Sequence, residues 1–296
     1  MTPRKRLNIL FADDGSQHAQ SAVEFLKDIP LPPNSRISVF QAFHSGQIPH
    51  ISEYERSLER TKEQLSNRNF RVETELKLGS ASEMILEKAR EKKPDLIVLG
   101  AKGLRATAGI FLGGVAQQVV EYACCPVLIV RAPYRGFRHI LLVTDGSPNS
   151  QNAARYLGKF PLPQNLDIHI MHVLPPMPHP IMMEPYYGGW RSVYSVYPTP
   201  EDEAAIEKEG AKTGNALLKR TSKLLQQNGL KSSSVLMRGD AATEILDYAK
   251  TENIDLIISG SRGLSEFRGW LLGSVSRKLV HYADCSTLIV KILSNH

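Results

Sequence analysis

Gly260 and Gly263 are followed, nine residues later, by Gly273 and Ser274, and Val275 continues into a segment that reads as the start of a helix. The same order stands in the first half of the chain as Gly100, Gly103, Gly113, Gly114 and Val115. Such spacing suits an anion. A glycine at the end of a strand lets backbone come close to a ligand with no Cβ between them. A helix opening on glycine or serine presents unpaired N–H groups and the positive end of its dipole to a phosphate. The Ser274 hydroxyl offers one donor more. A carboxylate accompanies each set: Asp14 and Asp145 each close a short apolar run and lead into Gly-Ser. A carboxylate repels phosphate, so the ribose hydroxyls of a nucleotide are its natural partner. Taken singly, the glycines read as tight turns and Asp-Gly-Ser as a cap on the next helix. In this order, and twice over, they point to a nucleotide.

The elements that must position these residues are themselves repeated. Residues 79–130 align without a gap onto 239–290, with roughly two positions in five identical, the mark of an internal duplication. DLIVLG at 95–100 matches DLIISG at 255–260, and NILFADDGS at 8–16 matches HILLVTDGS at 139–147. The Pro- and Gly-containing stretch 131–137 separates the copies, which puts one domain at 1–133 and a second at 134–296. In the first copy the pattern predicts strands at 7–13, 37–42, 71–77, 95–99 and 127–131, and helices at 16–27, 51–65, 82–91 and 113–123. Short, nearly continuous apolar strands alternating with helices imply a parallel sheet buried on both faces. The fold class is therefore α/β, two doubly wound domains in tandem. Asp145 and Gly260 face one crevice if the first and fourth strands are neighbours, since ligands of open α/β sheets bind beyond the carboxyl ends of the strands. The second copy also carries an insertion at about 174–200, rich in Pro, Met and aromatics, which reads as a long loop. Packing between domains or subunits is the expected role of that loop, and a lid over the ligand is the alternative.

Composition narrows the field without deciding it. A hydrophobic fraction of 42% and a charged fraction of 22% belong to a folded globular chain. No apolar run approaches a membrane span, and the short stretch after Arg4, Lys5 and Arg6 is broken by Asp13 and Asp14, too soon for a signal peptide. The net charge of +6 comes from scattered Lys and Arg with no interleaved aromatics, so nucleic acid is an unfavoured partner. Cys124, Cys125 and Cys285 form no metal-ligand pattern and read as small buried thiols of a reducing cytoplasm.

The glycine and serine pattern resembles that of the universal stress protein family, whose G-x-x-G-x9-G-[S/T] signature is intact as Gly260, Gly263, Gly273 and Ser274. The resemblance covers nearly the whole chain apart from the insertion. It implies five-stranded sheets of order 3-2-1-4-5, of the adenine nucleotide alpha hydrolase-like kind, ATP binding in one class of members, and dimerisation through the last strand. Carried over, the second copy would bind through Val143, Asp145, Val173, Gly260, Gly263, Gly273, Ser274 and Val275, with the backbone at Val173 meeting adenine and His172 serving structure. The first copy departs from the pattern: Gly114 replaces the hydroxyl residue, and Gln41 with Ala42 replaces His-Val. Asp14, Gly100, Gly103, Gly113, Gly114 and Val115 would still form a site. Losing one hydrogen bond to a charged group costs about 1.5–3 kcal/mol, so the first site is expected to be roughly ten- to hundredfold weaker.

The expectation is thus a cytoplasmic ATP-binding protein, taking AMP or ADP as alternatives and Mg2+ with the nucleotide, that senses or switches in a stress response. The two domains would form an internal pseudo-dimer through 127–131 and 287–292, with further homodimerisation open. No catalytic residue and no protein metal site is expected. The chain has no H-x-G-H, K-M-S-K-S, S-G-G-x-D-S or Walker motif, although slow hydrolysis of bound ATP stays open. The rival readings are a nucleotide-free scaffold acting through protein contacts and, less favoured, an ATP-hydrolysing or adenylyl-transferring enzyme.

Overall fold

Short apolar runs become strands and the amphipathic segments between them become crossover helices. The computed structural model describes residues 6–66, 70–103, 112–177, 199–263 and 272–291. The first half runs β1 (Asn8–Ala12), α1 (Gln17–Asp28), β2 (Arg36–Phe43), a 3-10 turn at Ser45–His50, α2 (Ile51–Ser66), β3 (Arg71–Leu78), α3 (Ala81–Lys92), β4 (Leu96–Gly100), α4 (Gly114–Tyr122) and β5 (Val127–Val130). The second runs β6 (His139–Val143), α5 (Pro148–Lys159), β7 (Asp167–Leu174), α6 (Pro200–Gln226), β8 (Ser233–Arg238), α7 (Ala241–Thr251), β9 (Leu256–Gly260), α8 (Ser274–Tyr282) and β10 (Ser286–Val290). Of the insertion, residues 178–198 lie outside the described residues. The helix that follows it, α6, has 27 residues against 16 in α2.

All ten strands join one sheet, in the order β3-β2-β1-β4-β5-β10-β9-β6-β7-β8. Each half is parallel and has the 3-2-1-4-5 order. The two meet where β5 and β10 pair antiparallel, with Leu128 opposite Leu288. The inner strands carry no exposed side at all: Leu96, Ile97 and Val98 in β4, and Leu256, Ile257 and Ile258 in β9, are fully buried. That burial is what crossover helices on both faces demand. One apolar cluster crosses the seam, uniting Phe11, Val98 and Leu128 with Leu288, Ile258 and Leu142.

The seam is reciprocal. The last carbonyls of a helix have no intrahelical partner, and each half supplies a cation for the other's. The Arg131 guanidinium donates to the Val280 and His281 carbonyls at the end of α8, at 2.9 and 3.1 Å. The Lys291 ammonium donates to the Glu121 and Ala123 carbonyls at the end of α4, both at 2.8 Å. Arg277 of α8 also pairs with Glu121 of α4 at 3.1 Å. The connection between the halves is packed as well: Phe137 stacks on Phe25 of α1 at 4.7 Å, and the Tyr134 hydroxyl donates to Asp28.

The cysteines correct one expectation. Cys125 is buried and its thiol is pushed up to about 12 by desolvation, and Cys285 is half-buried, but Cys124 is exposed. Cys124 follows the end of α4 on the outer side of the turn into β5. All three are free thiols.

Candidate functional site

β1 pairs with both β2 and β4, and β6 with both β7 and β9, so chain connections leave in opposite directions at the carboxyl ends of β1 and β6. A crevice opens at such a point in an α/β sheet. In the first half it is a cavity of about 330 Å³ whose walls include Ala12, Asp14, Ala42, Gly100, Gly103, Gly113, Gly114 and Val115. The second half brings the matching residues to the same place in its own sheet: Val143, Asp145, Val173, Gly260, Gly263, Gly273, Ser274 and Val275.

Each aspartate is divided between two tasks. One oxygen of Asp145 accepts the Ser147 N–H at 3.0 Å and one of Asp14 accepts the Ser16 N–H at 3.1 Å, fixing the turn after the strand. The serines then cap the following helices, the Ser16 oxygen accepting from the Ala19 N–H and the Ser147 oxygen from the Ser150 N–H. The other carboxylate oxygen reaches across the crevice mouth. A Cβ placed on Gly263 would lie 2.6 Å from Asp145 Oδ2, and one on Gly103 would lie 2.5 Å from Asp14 Oδ2. Glycine at 103 and 263 is therefore what lets the carboxylate lean over the loop.

Two roles assigned from sequence change. Gly100 and Gly260 do not lack a Cβ for a ligand's sake. A Cβ on Gly260 would sit 2.7 Å from the Asn149 carbonyl carbon and 2.8 Å from the Ser150 nitrogen, and one on Gly100 would sit 2.7 Å from His18 Cβ. They admit the first turns of α5 and α1. Nor are the Gly113 and Gly273 N–H groups available, since they donate to the Ala101 and Ser261 carbonyls at 2.8 Å. The donors left over belong to the next residues. Both α4 and α8 have glycine as N-cap and no side-chain cap, whereas α1, α5, α6 and α7 are capped by Ser16, Ser147, Thr199 and Asp240. The N–H groups of 114–116 and 274–276 face outward with the helix dipole behind them. The Ser274 hydroxyl is exposed and has no hydrogen-bond partner among the described residues.

The halves differ in what surrounds these donors. Val143 and Val173 stand where the first half has Ala12 and Ala42. In the second, the buried Ser276 hydroxyl donates to the Gly260 carbonyl at 2.7 Å and lies 3.4 Å from the Ser259 hydroxyl, where the first half has Ala116 and Leu99. That network was not singled out from the sequence, because serine in a first helical turn carries no signal of which carbonyl it will meet. His172 behaves as expected of a structural residue: its Nδ1 donates to the Thr144 carbonyl at 2.8 Å. Its counterpart Gln41 is 4% exposed and its Oε1 finds no partner among the described residues. Beside it, Asp13 accepts from the Thr61 hydroxyl at 2.6 Å and the Gly15 N–H at 2.8 Å, and burial raises its pKa above the usual carboxylate value.

Comparison with known proteins then decides the family. The profile of the universal stress protein family matches the chain twice, over residues 5–131 and 136–291. The chain belongs to the universal stress protein family. It is similar to a universal stress protein of Thermus aquaticus, 37% identical over 133 residues that span 42% of this chain and 97% of that one. It is similar also to one of Mycolicibacterium smegmatis, 26% identical over 226 residues, 74% of this chain and 69% of that one. Among solved structures, a universal stress protein from Archaeoglobus fulgidus superposes with a TM-score of 0.67 at 18% identity, covering 98% of both chains. At that identity the likeness is one of fold, and it extends over both universal stress protein domains. Among the described residues no helix is long and apolar enough to cross a membrane.

Proposed function

We propose that this universal stress protein binds an adenine nucleotide in each half and works as a nucleotide-dependent sensor or switch in the stress response, not as a transferase. The observation that carries this reading is the crevice of about 330 Å³ in which Asp14 and the uncapped start of α4 face each other. A cavity of that size suits a small ligand. The unpaired N–H groups of 114–116 and 274–276 supply donors for phosphate, the Asp14 and Asp145 carboxylates suit ribose hydroxyls, and the apolar base suits the adenine. ATP is the nucleotide proposed, with AMP and ADP sharing the same chemistry. Magnesium would arrive on the phosphates, since among the described residues no three His, Cys, Asp or Glu group to hold a metal.

The domains fall at 1–133 and 134–296, and the second site is the tighter because Ser274 adds a hydroxyl that Gly114 lacks. The internal pairing consumes β5 and β10, which leaves β3 and β8 as the outer edges of the sheet. A further homodimer would therefore use a different surface from the last strand. A cytoplasmic location is part of the same reading.

The test is calorimetric titration of nucleotide-stripped protein with ATP and Mg2+, beside a Gly273→Val variant. A Cβ at that position would stand 3.3 Å from the Arg262 Cα and crowd the loop. Two unequal sites, the tighter one lost in the variant, are the expected result. Absence of binding to the intact protein would replace this reading with a nucleotide-free scaffold.

A further inference from the structure

At the opposite ends of β1, β2 and β3 from the crevice, the first half has an open groove of about 540 Å³. Its lining includes Arg6, Arg36, Arg71 and Lys92 together with the carboxylate of Glu73, and Lys92 also pairs with Glu91 at 3.4 Å. The parallel register makes this cluster. Asn8, Arg36 and Arg71 stand side by side across three strands, on one face of the sheet. Like charges on neighbouring strands destabilise a sheet. Glu73 relieves only part of that, pairing with Arg36 at 3.5 Å while both side chains stay about half exposed. Arg6 and Arg71 have no ion-pair partner among the described residues.

The fold does not require this arrangement, because the second half has replaced it. Asp167 stands where Arg36 does, Glu252 where Lys92 does, and Phe137, buried in the core, where Arg6 does, while Lys231 keeps the charge of Arg71 and Ser233 takes the place of Glu73. The floor is filled too. His169, in the place of Ser38, lies 2.6 Å from the Tyr248 hydroxyl and 3.1 Å from Asp167. One copy therefore has a filled surface of mixed charge, and the other an open groove in which Arg6 and Arg71 have no ion-pair partner among the described residues.

We propose that this groove is a second anion site, distinct from the glycine crevice, and that it takes a small oligophosphate, a molecule carrying two or more linked or neighbouring phosphates. Guanidinium forks match phosphate oxygens in pairs, which a lone chloride does not exploit. The volume lies in the range of small-molecule sites. Among the described residues no aromatic side chain lines the groove, which gives it no platform there on which nucleic-acid bases would stack. The ligand's phosphates, not a base, are what it recognises.

The probe is inorganic tripolyphosphate, titrated calorimetrically into the full chain at 150 mM salt, with the thermal midpoint followed in parallel. The variants are Arg71→Gln and the double Arg36→Gln/Arg71→Gln, and the number of tripolyphosphate sites is compared with the parent's, since the N–H groups of 114–116 and 274–276 take phosphate as well. Saturable binding is expected, weakened roughly tenfold by the single change and further by the double, as the loss of charge-assisted bonds requires. Because Arg36 and Arg71 are exposed, the double variant should melt no lower than the parent in the absence of ligand, and it should have one tripolyphosphate site fewer than the parent. An unchanged number and affinity of tripolyphosphate sites in the double variant would confine the anion to the crevices and overturn the proposal. So would the absence of saturable binding. Tighter binding of a single-stranded oligonucleotide than of tripolyphosphate, lost in the double variant, would overturn the ligand class.

Discussion

Two glycines three residues apart give opposite predictions on substitution by alanine. At Gly260 the new methyl would meet the backbone of α5, 2.7 Å from the Asn149 carbonyl carbon and 2.8 Å from the Ser150 nitrogen. Ordinary contact for a Cβ is about 3.4 Å or more, so the first turn of α5 must retreat by roughly 0.7 Å, an overpacking strain of about 1–3 kcal/mol. For a chain of this size each kcal/mol lowers the melting temperature by about 2–4 °C. At Gly263 the new methyl meets only the tip of Asp145, with Oδ2 at 2.6 Å and Cγ at 3.8 Å. The carboxylate swings aside for roughly 0.5–1.5 kcal/mol, the scale of an off-rotamer side chain. Its contact with the proposed ribose hydroxyls is then lost, which weakens the second site by about tenfold or more. Urea unfolding and ATP titration of both variants are the assays. Gly260→Ala should lose stability, and Gly263→Ala should lose affinity while staying close to the parent in stability. Equal destabilisation by the two, or full affinity in Gly263→Ala, would refute the assignment of Asp145 to ligand and Gly260 to helix packing.

Gly114→Ser restores the hydroxyl at a position where an added Cβ meets nothing within 4 Å. It should tighten the first site about tenfold, read by titration, with stability unchanged or slightly higher. The double variant Arg131→Met/Lys291→Met strips both cations from the carbonyls across the seam. Each such bond to a charged group is worth about 1.5–3 kcal/mol, so chemical denaturation should shift by several kcal/mol or split into two transitions. Asp13 supplies a pH dependence. Its carboxyl is raised in the folded state by burial, so its contribution is full below the unfolded value of 3.8 and is lost as pH rises through the folded one. Asp13→Asn should therefore gain on the parent in stability as pH is raised from 4 towards neutrality, measured by urea midpoints across that range.

The strands were legible because they rest on local signals, buried apolar runs between amphipathic segments, whereas their order came only with the resemblance to the family. What escaped the sequence needed atoms from distant segments. Gly260 reads as a ligand-facing glycine until α5 is seen pressing on it. The donor N–H groups shift from 113 and 273 to the residues after them because the Ala101 and Ser261 carbonyls, on the far side of the loop, claim the first. Arg6, Arg36 and Arg71 look scattered along the chain, and only the register of three parallel strands makes them neighbours. Arg131 and Lys291 occupy matching places in the repeat, yet nothing local says that each reaches across the seam to the other half's helix.

The antiparallel seam has a consequence for how the two copies could diverge. Because β5 and β10 run in opposite directions, the carboxyl ends of the first half's strands and those of the second half lie on opposite edges of one continuous sheet. The two crevices therefore cannot share a ligand, and they differ: the first has Gly114, Ala12 and Ala42 where the second has Ser274, Val143 and Val173, and the second has the Ser276 bond to Gly260. They are still not independent bodies. Helices α4 and α8, whose first turns face the crevices, have their last turns held by Lys291 and Arg131 from the other half. A nine-residue helix is about two and a half turns of stiff backbone, roughly 14 Å long. Any ligand that pulls on the start of α4 must therefore move, or be resisted by, a cation anchored at the end of β10.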